Sequence, residues 1–154
     1  MADQFVISVF TVVFDDHNRV LLGHRCDMDL WDLPGGGMDY GELPNEAAIR
    51  EAKEETGFDI EIIQLLGIFS SPATEKAQLV FAFSGKIKGG QPTLSAETDD
   101  VRFFDANRLP ENTSPRKRVL IEIAVKGVNE PMFTKVNLPH AREWLANKKN
   151  KASK

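Results

Sequence analysis

The chain has 154 residues and a mass of 17.2 kDa, which suits a single domain with a buried core. Its composition, 42% hydrophobic and 27% charged, is that of an ordinary globular protein. The net charge of −4 argues against general DNA binding, because proteins that coat nucleic acid carry an excess of basic residues. A site for a small nucleotide is still compatible with this charge.

The first two strands and a glycine loop open the chain. Residues 4–14 are rich in Val, Ile and Phe in both alternate registers, which predicts a strand covered on both faces. The sequence DDHN at 15–18 predicts a turn, and residues 19–26 predict a second strand. A loop with one proline and the glycines at 35–37 follows.

A helix is predicted at 44–56. Pro44 suits the first helical position, and Glu46 in the first turn suits the helix dipole. Gly57 is placed to end the helix in the left-handed conformation. Leu43 breaks the pattern, since a capping Ser or Asp would be better at that position.

The remaining elements predict a mixed sheet with helices on both faces. They are strands at 59–70, 77–88 and 101–105, a helix from Ser114-Pro115 to Gly127, and a last amphipathic helix from Pro139 to about Lys148. We expect one domain over 1–127 and a C-terminal extension over 128–154 that packs on it. The final basic residues, KKNKASK, are expected to form a solvated, frayed end.

The compartment is predicted to be the cytoplasm. The N-terminal MADQ lacks the basic region of a signal peptide, and the longest apolar run is about half the length that spans a bilayer. The lone Cys26 cannot form an intramolecular disulfide, and its apolar neighbours predict a buried, inert thiol. We therefore expect a soluble protein with no membrane partner, and a homodimer is left open.

Three glutamates share one side of the predicted helix. Glu51 lies three and four residues before Glu54 and Glu55, so the three carboxylates project together and repel one another. One interpretation is a solvated acidic face. The other is a site for Mg²⁺, which prefers oxygen ligands and is shared between carboxylates and substrate phosphates. The preceding glycines favour the second, because they let the backbone approach closely.

The stretch from Gly36 to Phe58, GGMDYGELPNEAAIREAKEETGF, resembles the signature of the Nudix hydrolases. That pattern is Gly-x5-Glu-x7-Arg-Glu-apolar-x-Glu-Glu-x-Gly-apolar, and every fixed position matches. Ala52 is smaller than the usual aliphatic residue, which bears on packing. Strands before the box and ETDDVRFFDANRLP after it extend the likeness over about residues 5–126.

The resemblance implies an α/β/α sandwich and Mg²⁺-dependent hydrolysis of a nucleoside diphosphate derivative, with Mn²⁺ as a substitute for Mg²⁺. It implies that Glu51, Glu54 and Glu55 bind the metal or activate water, together with a backbone carbonyl of Gly35 or Gly36. It also implies that Arg50 orients a glutamate and that Glu42 steadies the loop before the helix.

The general base has three candidates. Glu54 is the first choice and Glu51 the second, since both belong to the acidic face. Glu97 is the third, because relatives of the family often place a further acidic residue in that region. The alternative for Glu97 is an ordinary acidic residue in a surface turn.

Substrate choice is not encoded in the box. Trp31 could stack on a base, although aromatic residues near an apolar sheet more often belong to the core. Pro72 lies 14 residues past the box end, near where ADP-ribose hydrolases of the family carry a proline. His17, His24 and His140 are scattered, which disfavours metal binding by histidine. Two other functions remain open: a non-catalytic nucleotide-binding regulator and an isomerase of isopentenyl diphosphate.

Overall fold

The computed structural model describes residues 4–71 and 77–153. Pro72, the position associated with ADP-ribose hydrolases, lies outside the described residues. Within the described ranges there are eight strands and three helices. The strands are β1 (Phe5–Phe14), β2 (Val20–Arg25), β3 (Trp31–Asp32), β4 (Gly35–Gly37), β5 (Phe58–Ser71), β6 (Ala77–Gly90), β7 (Thr98–Phe104) and β8 (Met132–Lys135). The helices are α1 (Pro44–Thr56), α2 (Pro115–Lys126) and α3 (Ala141–Ala152).

The strands form one mixed sheet in the order β3-β2-β1-β6-β5-β8. Strand β1 pairs with β6 in parallel, and β5 pairs with β8 in parallel. The other pairs are antiparallel, including β4 on β1 and β7 on β2. The predicted mixed sheet is therefore confirmed.

Helices α1 and α2 cover opposite faces of this sheet, because side chains alternate along β1. Val9 and Val13 pack in the clusters that contain Ala47 and Ala52 of α1. Val12 packs in the cluster that contains Leu120 and Ile121 of α2. The predicted α/β/α sandwich is confirmed, and the small Ala52 is fully buried between helix and sheet.

Helix α1 begins and ends through backbone groups that its sequence supplies locally. Leu43 offers no capping side chain, but the Glu46 carboxylate accepts a hydrogen bond from the Leu43 N–H at 2.8 Å. This is the capping-box hydrogen bond between the third helical residue and the N-cap backbone, and it compensates for the missing side-chain cap. At the other end Gly57 has φ +81°, and its N–H donates to the Lys53 carbonyl.

Three short strands were not predicted from the sequence. Strands β3 and β4 lie in the stretch expected to be a loop, and β8 lies in the C-terminal extension. Each has two to four residues, which is too short for an alternating pattern to be read. Their pairing depends on neighbours that are distant in sequence, such as β1 for β4 and β5 for β8.

The C-terminal extension contacts the sheet and ends in a helix. The Gln64 side chain donates to the Val128 carbonyl at 2.7 Å, and β8 lies along β5. Helix α3 continues to Ala152, so the expectation of a frayed end from Lys148 is wrong. The reason is local: Ala and Lys are good helix formers, and Lys149 and Lys151 in the last turn suit the helix dipole.

Cys26 is exposed, so the prediction of a buried thiol is wrong. Strand β2 ends at Arg25, whose N–H donates to the Leu30 carbonyl at 2.9 Å and closes a short loop. This loop turns away from the core immediately after the strand and carries Cys26 to the surface. None of the helices described in the structure has the length and apolar character needed to cross a membrane.

Candidate active site

Strand β4 and helix α1 bring the glycine segment against the acidic face. The Gly35 N–H donates to Glu55 Oε2 at 3.0 Å. At Gly36 a Cβ atom would lie 2.7 Å from Glu51 Oε1, closer than real side chains approach. Only glycine leaves room for the Glu51 carboxylate in this position. The backbone at Gly35 and Gly36 therefore approaches Glu55 and Glu51 closely, as the sequence predicted.

Arg50 contacts most of the polar groups around this face. Its Nε and Nη2 donate to the two Glu42 oxygens at 2.5 and 3.0 Å. Its Nη1 donates to Glu51 at 3.0 Å and to Glu54 at 3.2 Å, and Nη2 also donates to the Gly37 carbonyl at 3.1 Å. The hydrogen bond with Glu42 is the main cause of the raised pKa of Arg50. Arg50 thus holds the loop and two carboxylates in place.

Two carboxylates of the face resist ionisation. Burial raises the pKa of Glu55 to about 8; the Gly35 N–H opposes this, and the charges of Glu51 and Glu97 add to it. Burial also raises the pKa of Glu51, although its hydrogen bond with Arg50 works in the opposite direction. A positive charge placed among these groups would favour their ionised forms.

A cavity of about 470 Å³ lies beside the glutamates. One part of its lining, which we name the acidic wall, consists of Gly35, Gly36, Glu55 and Glu97. Glu97 stands directly before β7, and its charge raises the pKa of both Glu51 and Glu55. The structure therefore brings Glu97, from the opposite half of the sequence, to the same site as the box.

Glu54 occupies a different position from its neighbours. Its side chain is 58% exposed, and its described hydrogen bond is the one from Arg50 at 3.2 Å. The residues that line the cavity in the described part of the chain do not include Glu54. It therefore lies on the solvent side of the acidic face, while Glu55 lies on the cavity side.

The donor chemistry at this site fits a hard divalent cation. Carboxylate oxygens of Glu51, Glu54 and Glu55 are the ligands that Mg²⁺ prefers. A cation would also favour the ionised forms of Glu51 and Glu55, whose pKa values are raised by burial and, to a smaller extent, by neighbouring carboxylates. As the side chains stand within residues 4–71 and 77–153, no three His, Cys, Asp or Glu residues group closely enough to hold a metal ion. Arg50 engages two of the three glutamates in this arrangement.

Other candidates from the sequence lie elsewhere. Trp31 packs edge-on against Phe104 with ring centroids 4.9 Å apart, and the described cavity lining does not include it. This supports the core interpretation of Trp31. His24 contacts Asp99 at 2.7 Å and Asp29 at 3.0 Å, and the described cavity lining does not include it.

Sequence reasoning missed a second group of residues that line the cavity. They are Arg25, Asp32, Arg116, Lys117 and His140, the last of which was considered above only as a metal ligand. One signal was available: Arg116 and Lys117 stand in the first turn of α2, and this first turn contains no acidic residue. Positive charges oppose the helix dipole at an N-terminus, so two of them there suggest a role beyond helix formation.

Comparison with known proteins agrees with the site. The family described as NUDIX domain matches residues 4–122. The chain belongs to the Nudix hydrolase family. Nudix hydrolases generally depend on a divalent metal.

Individual Nudix relatives cover most of the chain. A protein of Bacillus subtilis, named as a candidate 8-oxo-dGTP diphosphatase, is 36% identical over 132 residues, covering 85% of this chain and 87% of the relative. The ADP-ribose pyrophosphatase of Methanocaldococcus jannaschii is 31% identical over 113 residues, covering 70% and 67%. A Nudix hydrolase structure from Nitrosomonas europaea superposes with a TM-score of 0.75 at 23% identity, covering 88% and 81%, which supports the fold.

Proposed function

We propose that this protein is a pyrophosphohydrolase that uses Mg²⁺ to cleave the diphosphate linkage of a nucleoside diphosphate derivative. The observation that carries the proposal is the complete Nudix box with Arg50 holding Glu42, Glu51 and Glu54, beside a cavity that Glu55 and Glu97 line. Relatives named for 8-oxo-dGTP and ADP-ribose support a nucleotide derivative as the substrate class.

The metal would be held by Glu51, Glu54 and Glu55, with a backbone carbonyl of Gly35 or Gly36. When bound, Mg²⁺ would neutralise the diphosphate and acidify a water molecule, with Mn²⁺ able to replace it. Arg50 donates hydrogen bonds to Glu51 and Glu54, so these two carboxylates would have to shift from Arg50 when the metal binds.

The proton of the attacking water goes to one of three carboxylates. Glu54 remains our first candidate for the base, because its carboxylate belongs to the acidic face and, at 58% exposure, is open to solvent water. Glu51 is the second, but burial favours its neutral form. Glu97 is the third, and its support is its position in the cavity lining.

Two other functions predict different observations. A non-catalytic nucleotide-binding regulator would tolerate loss of box glutamates, whereas all of them are present. An isopentenyl-diphosphate isomerase would depend on its thiol, so Cys26→Ser would abolish its reaction. The proposed hydrolase should keep its turnover in Cys26→Ser, because no step uses sulfur.

The deciding experiment is a screen of nucleoside diphosphate derivatives with Mg²⁺, in which release of nucleoside monophosphate is measured. The panel includes 8-oxo-dGTP, dGTP, ADP-ribose and a UDP-sugar. The proposal is supported if any of these compounds is hydrolysed only with metal and if Glu54→Gln reduces the rate of that hydrolysis. Binding without hydrolysis across the panel would support the regulator instead.

We also propose a cytoplasmic location and no general affinity for DNA, which the net charge of −4 supports. A homodimer is compatible with this function. Sedimentation of the purified protein, with and without duplex DNA, tests the oligomeric state and DNA binding, and fractionation of the source cells tests the location.

A further inference from the structure

The cavity has a second lining, which we name the basic wall, formed by Arg116 and Lys117 of α2 and by His140 directly before α3. His140 comes from the C-terminal extension, beyond the residues that match the family. None of the proposed catalytic steps uses the basic wall. Its charge therefore has no assigned role in the cleavage described above.

Lys117 is a largely buried cation that has an ion pair but no hydrogen-bond acceptor among the described residues. Its side chain is 12% exposed, and Nζ lies 3.5 Å from Asp32 Oδ1, beyond normal hydrogen-bond length. Nζ also lies 2.9 Å from the centroid of the Phe10 ring. Asp32 is shared, since Arg25 approaches its other oxygen at 3.5 Å. In the described part of the chain, no acceptor receives a hydrogen bond from Lys117 Nζ.

The positive charge of Arg116 has even fewer nearby carboxylates than that of Lys117. Its Nε donates to the Leu138 carbonyl at 2.8 Å, which fixes the guanidinium against the C-terminal extension. Among residues 4–71 and 77–153, no carboxylate oxygen lies within 4 Å of it, and neither Nη group donates a hydrogen bond. Arg25, by contrast, is paired with both oxygens of Asp27 at 2.8 Å.

Burial and neighbouring charges both act on the ionisation of the basic wall. Burial lowers the pKa of Arg116 and of Lys117. The charge of Glu143 favours the cationic form of Arg116, and the charge of Asp32 favours that of Lys117. Burial, followed by the charges of Arg116 and Lys117, lowers the pKa of His140. The lowered pKa favours the neutral imidazole, which adds hydrogen-bonding capacity without charge. A partly buried cation without a partner is costly, so a ligand that supplies acceptor oxygens would be stabilised here.

We propose that Arg116 and Lys117 form a subsite for acceptor oxygens carried by the part of the nucleotide that is remote from the cleaved bridge. This deepens the proposed function and rests on it only in taking the cavity as the nucleotide site. Two sources share this chemistry: the carbonyl edge of an oxopurine base and a second phosphate on the sugar. Arg and Lys pair with guanine O6 and N7, and Arg binds phosphate through two N–H groups.

Adenine provides the discriminating comparison for the first source. Where guanine presents the O6 acceptor, adenine presents an amino donor, which would face the N–H donors of Arg116 and Lys117. A guanine nucleotide should therefore bind more tightly than an adenine nucleotide. A second phosphate on an adenine nucleotide should raise affinity if the subsite instead reads phosphate.

The test is calorimetric titration of the full chain with GMP, AMP and adenosine 2′,5′-bisphosphate, without metal. We expect either GMP or the bisphosphate to bind about tenfold more tightly than AMP. Arg116→Gln and Lys117→Met should each reduce that preference to less than about threefold while changing AMP affinity little. Arg108→Gln is the matched control, because Arg108 is exposed and lies outside the cavity lining.

The outcomes separate the sources and the hypotheses. A GMP preference lost in the variants assigns the base edge, and a bisphosphate preference lost in them assigns a second phosphate. Equal affinities in the unaltered protein, or a preference that survives both substitutions, would overturn the subsite. Circular dichroism melts identify a variant that fails to fold, in which case the other variant decides. Because none of these probes contains a diphosphate, a failed hydrolysis screen would refute the activity without refuting the subsite.

Discussion

Arg50 binds both carboxylate oxygens of Glu42, through Nε at 2.5 Å and Nη2 at 3.0 Å. This pair joins the loop before α1 to the middle of the helix. Because the same guanidinium also contacts Glu51 and Glu54, the position of the loop and the positions of two proposed metal ligands depend on one side chain. Removing a single carboxylate leaves Arg50 held by the others, so such variants should fold.

Glu54→Gln should reduce kcat on the best substrate by about 10²–10⁴, the usual effect of losing a general base. Loss of a negative metal ligand adds to this effect. Without metal the melting temperature should stay the same or rise slightly, since one like-charge contact is removed. The measurements are kcat and a circular dichroism melt, with the exposed Glu122→Gln as control. Unchanged turnover in Glu54→Gln would move the search for the base to Glu51 or Glu97.

Mg²⁺ or Mn²⁺ should stabilise the fold. A bound cation relieves the repulsion among Glu51, Glu54 and Glu55, and binding to the folded state alone raises stability by linkage. We expect a modest rise in melting temperature without substrate, because Mg²⁺ sheds its water reluctantly. Melts in millimolar-scale MgCl₂ are compared with melts in KCl of matched ionic strength. Superimposable curves would count against a metal site on the free protein.

Glu55→Gln should remove a pH dependence of stability. The Glu55 pKa is about 8 in the fold against an ordinary value of 4.5, so folding favours its neutral form. The contribution of Glu55 to the free energy of unfolding is therefore complete below about pH 4.5 and is lost as the pH rises to 8. The metal-free protein should lose melting temperature over this range by at least about 3 °C more than Glu55→Gln does. Parallel profiles for the two proteins would show that Glu55 ionises normally.

Gly57→Ala should destabilise the protein by more than about 2 kcal/mol, since left-handed backbone alone costs a side chain about 1–2 kcal/mol. A Cβ there would also collide with the Gln91 carbonyl and lie 2.6 Å from Thr93 Oγ1. Gly41→Ala is the matched control, because Gly41 has φ +86° with nothing within 4 Å of a Cβ. Urea unfolding of both variants gives the comparison. Equal losses would mean that the collision is relieved by movement of the Gln91 segment.

Lys148→Ala and Lys149→Ala should leave turnover unchanged. Lys148 pairs with the exposed Glu111 at 2.9 Å, and neither lysine lines the cavity. Exposed pairs of this kind contribute about 0–1 kcal/mol. Steady-state kinetics on the best substrate check this. A large fall in kcat would show that the end of α3 takes part in the reaction.

Helix α1 and its chemistry were encoded locally. Pro44, Gly57 and the i, i+3, i+4 spacing of the glutamates act within a few residues, so they can be read without knowing the fold. The same is true of the long strands, since β1 is apolar on both faces and is covered on both faces. The apolar neighbours of Cys26 were misleading, because the fold places this residue at the surface. At the helical residues up to Ala152 the local signal was present, since Ala and Lys are good helix formers, but it was read as a frayed end.

The tertiary structure decided which distant residues share the cavity. Glu97 reaches the box because β7 pairs with β2, and His140 reaches Arg116 because the extension adds β8 to the edge of the sheet. No pattern within a short stretch of sequence predicts these long-range contacts, because they depend on which strand edges pair and on which face of the sheet each helix lies. The sequence by itself determined the acidic chemistry of α1. The fold determined what stands across the cavity from it, because burial and proximity arise only when separate elements pack together. Burial raises the pKa of Glu55, and within the described residues packing leaves no carboxylate oxygen within 4 Å of Arg116.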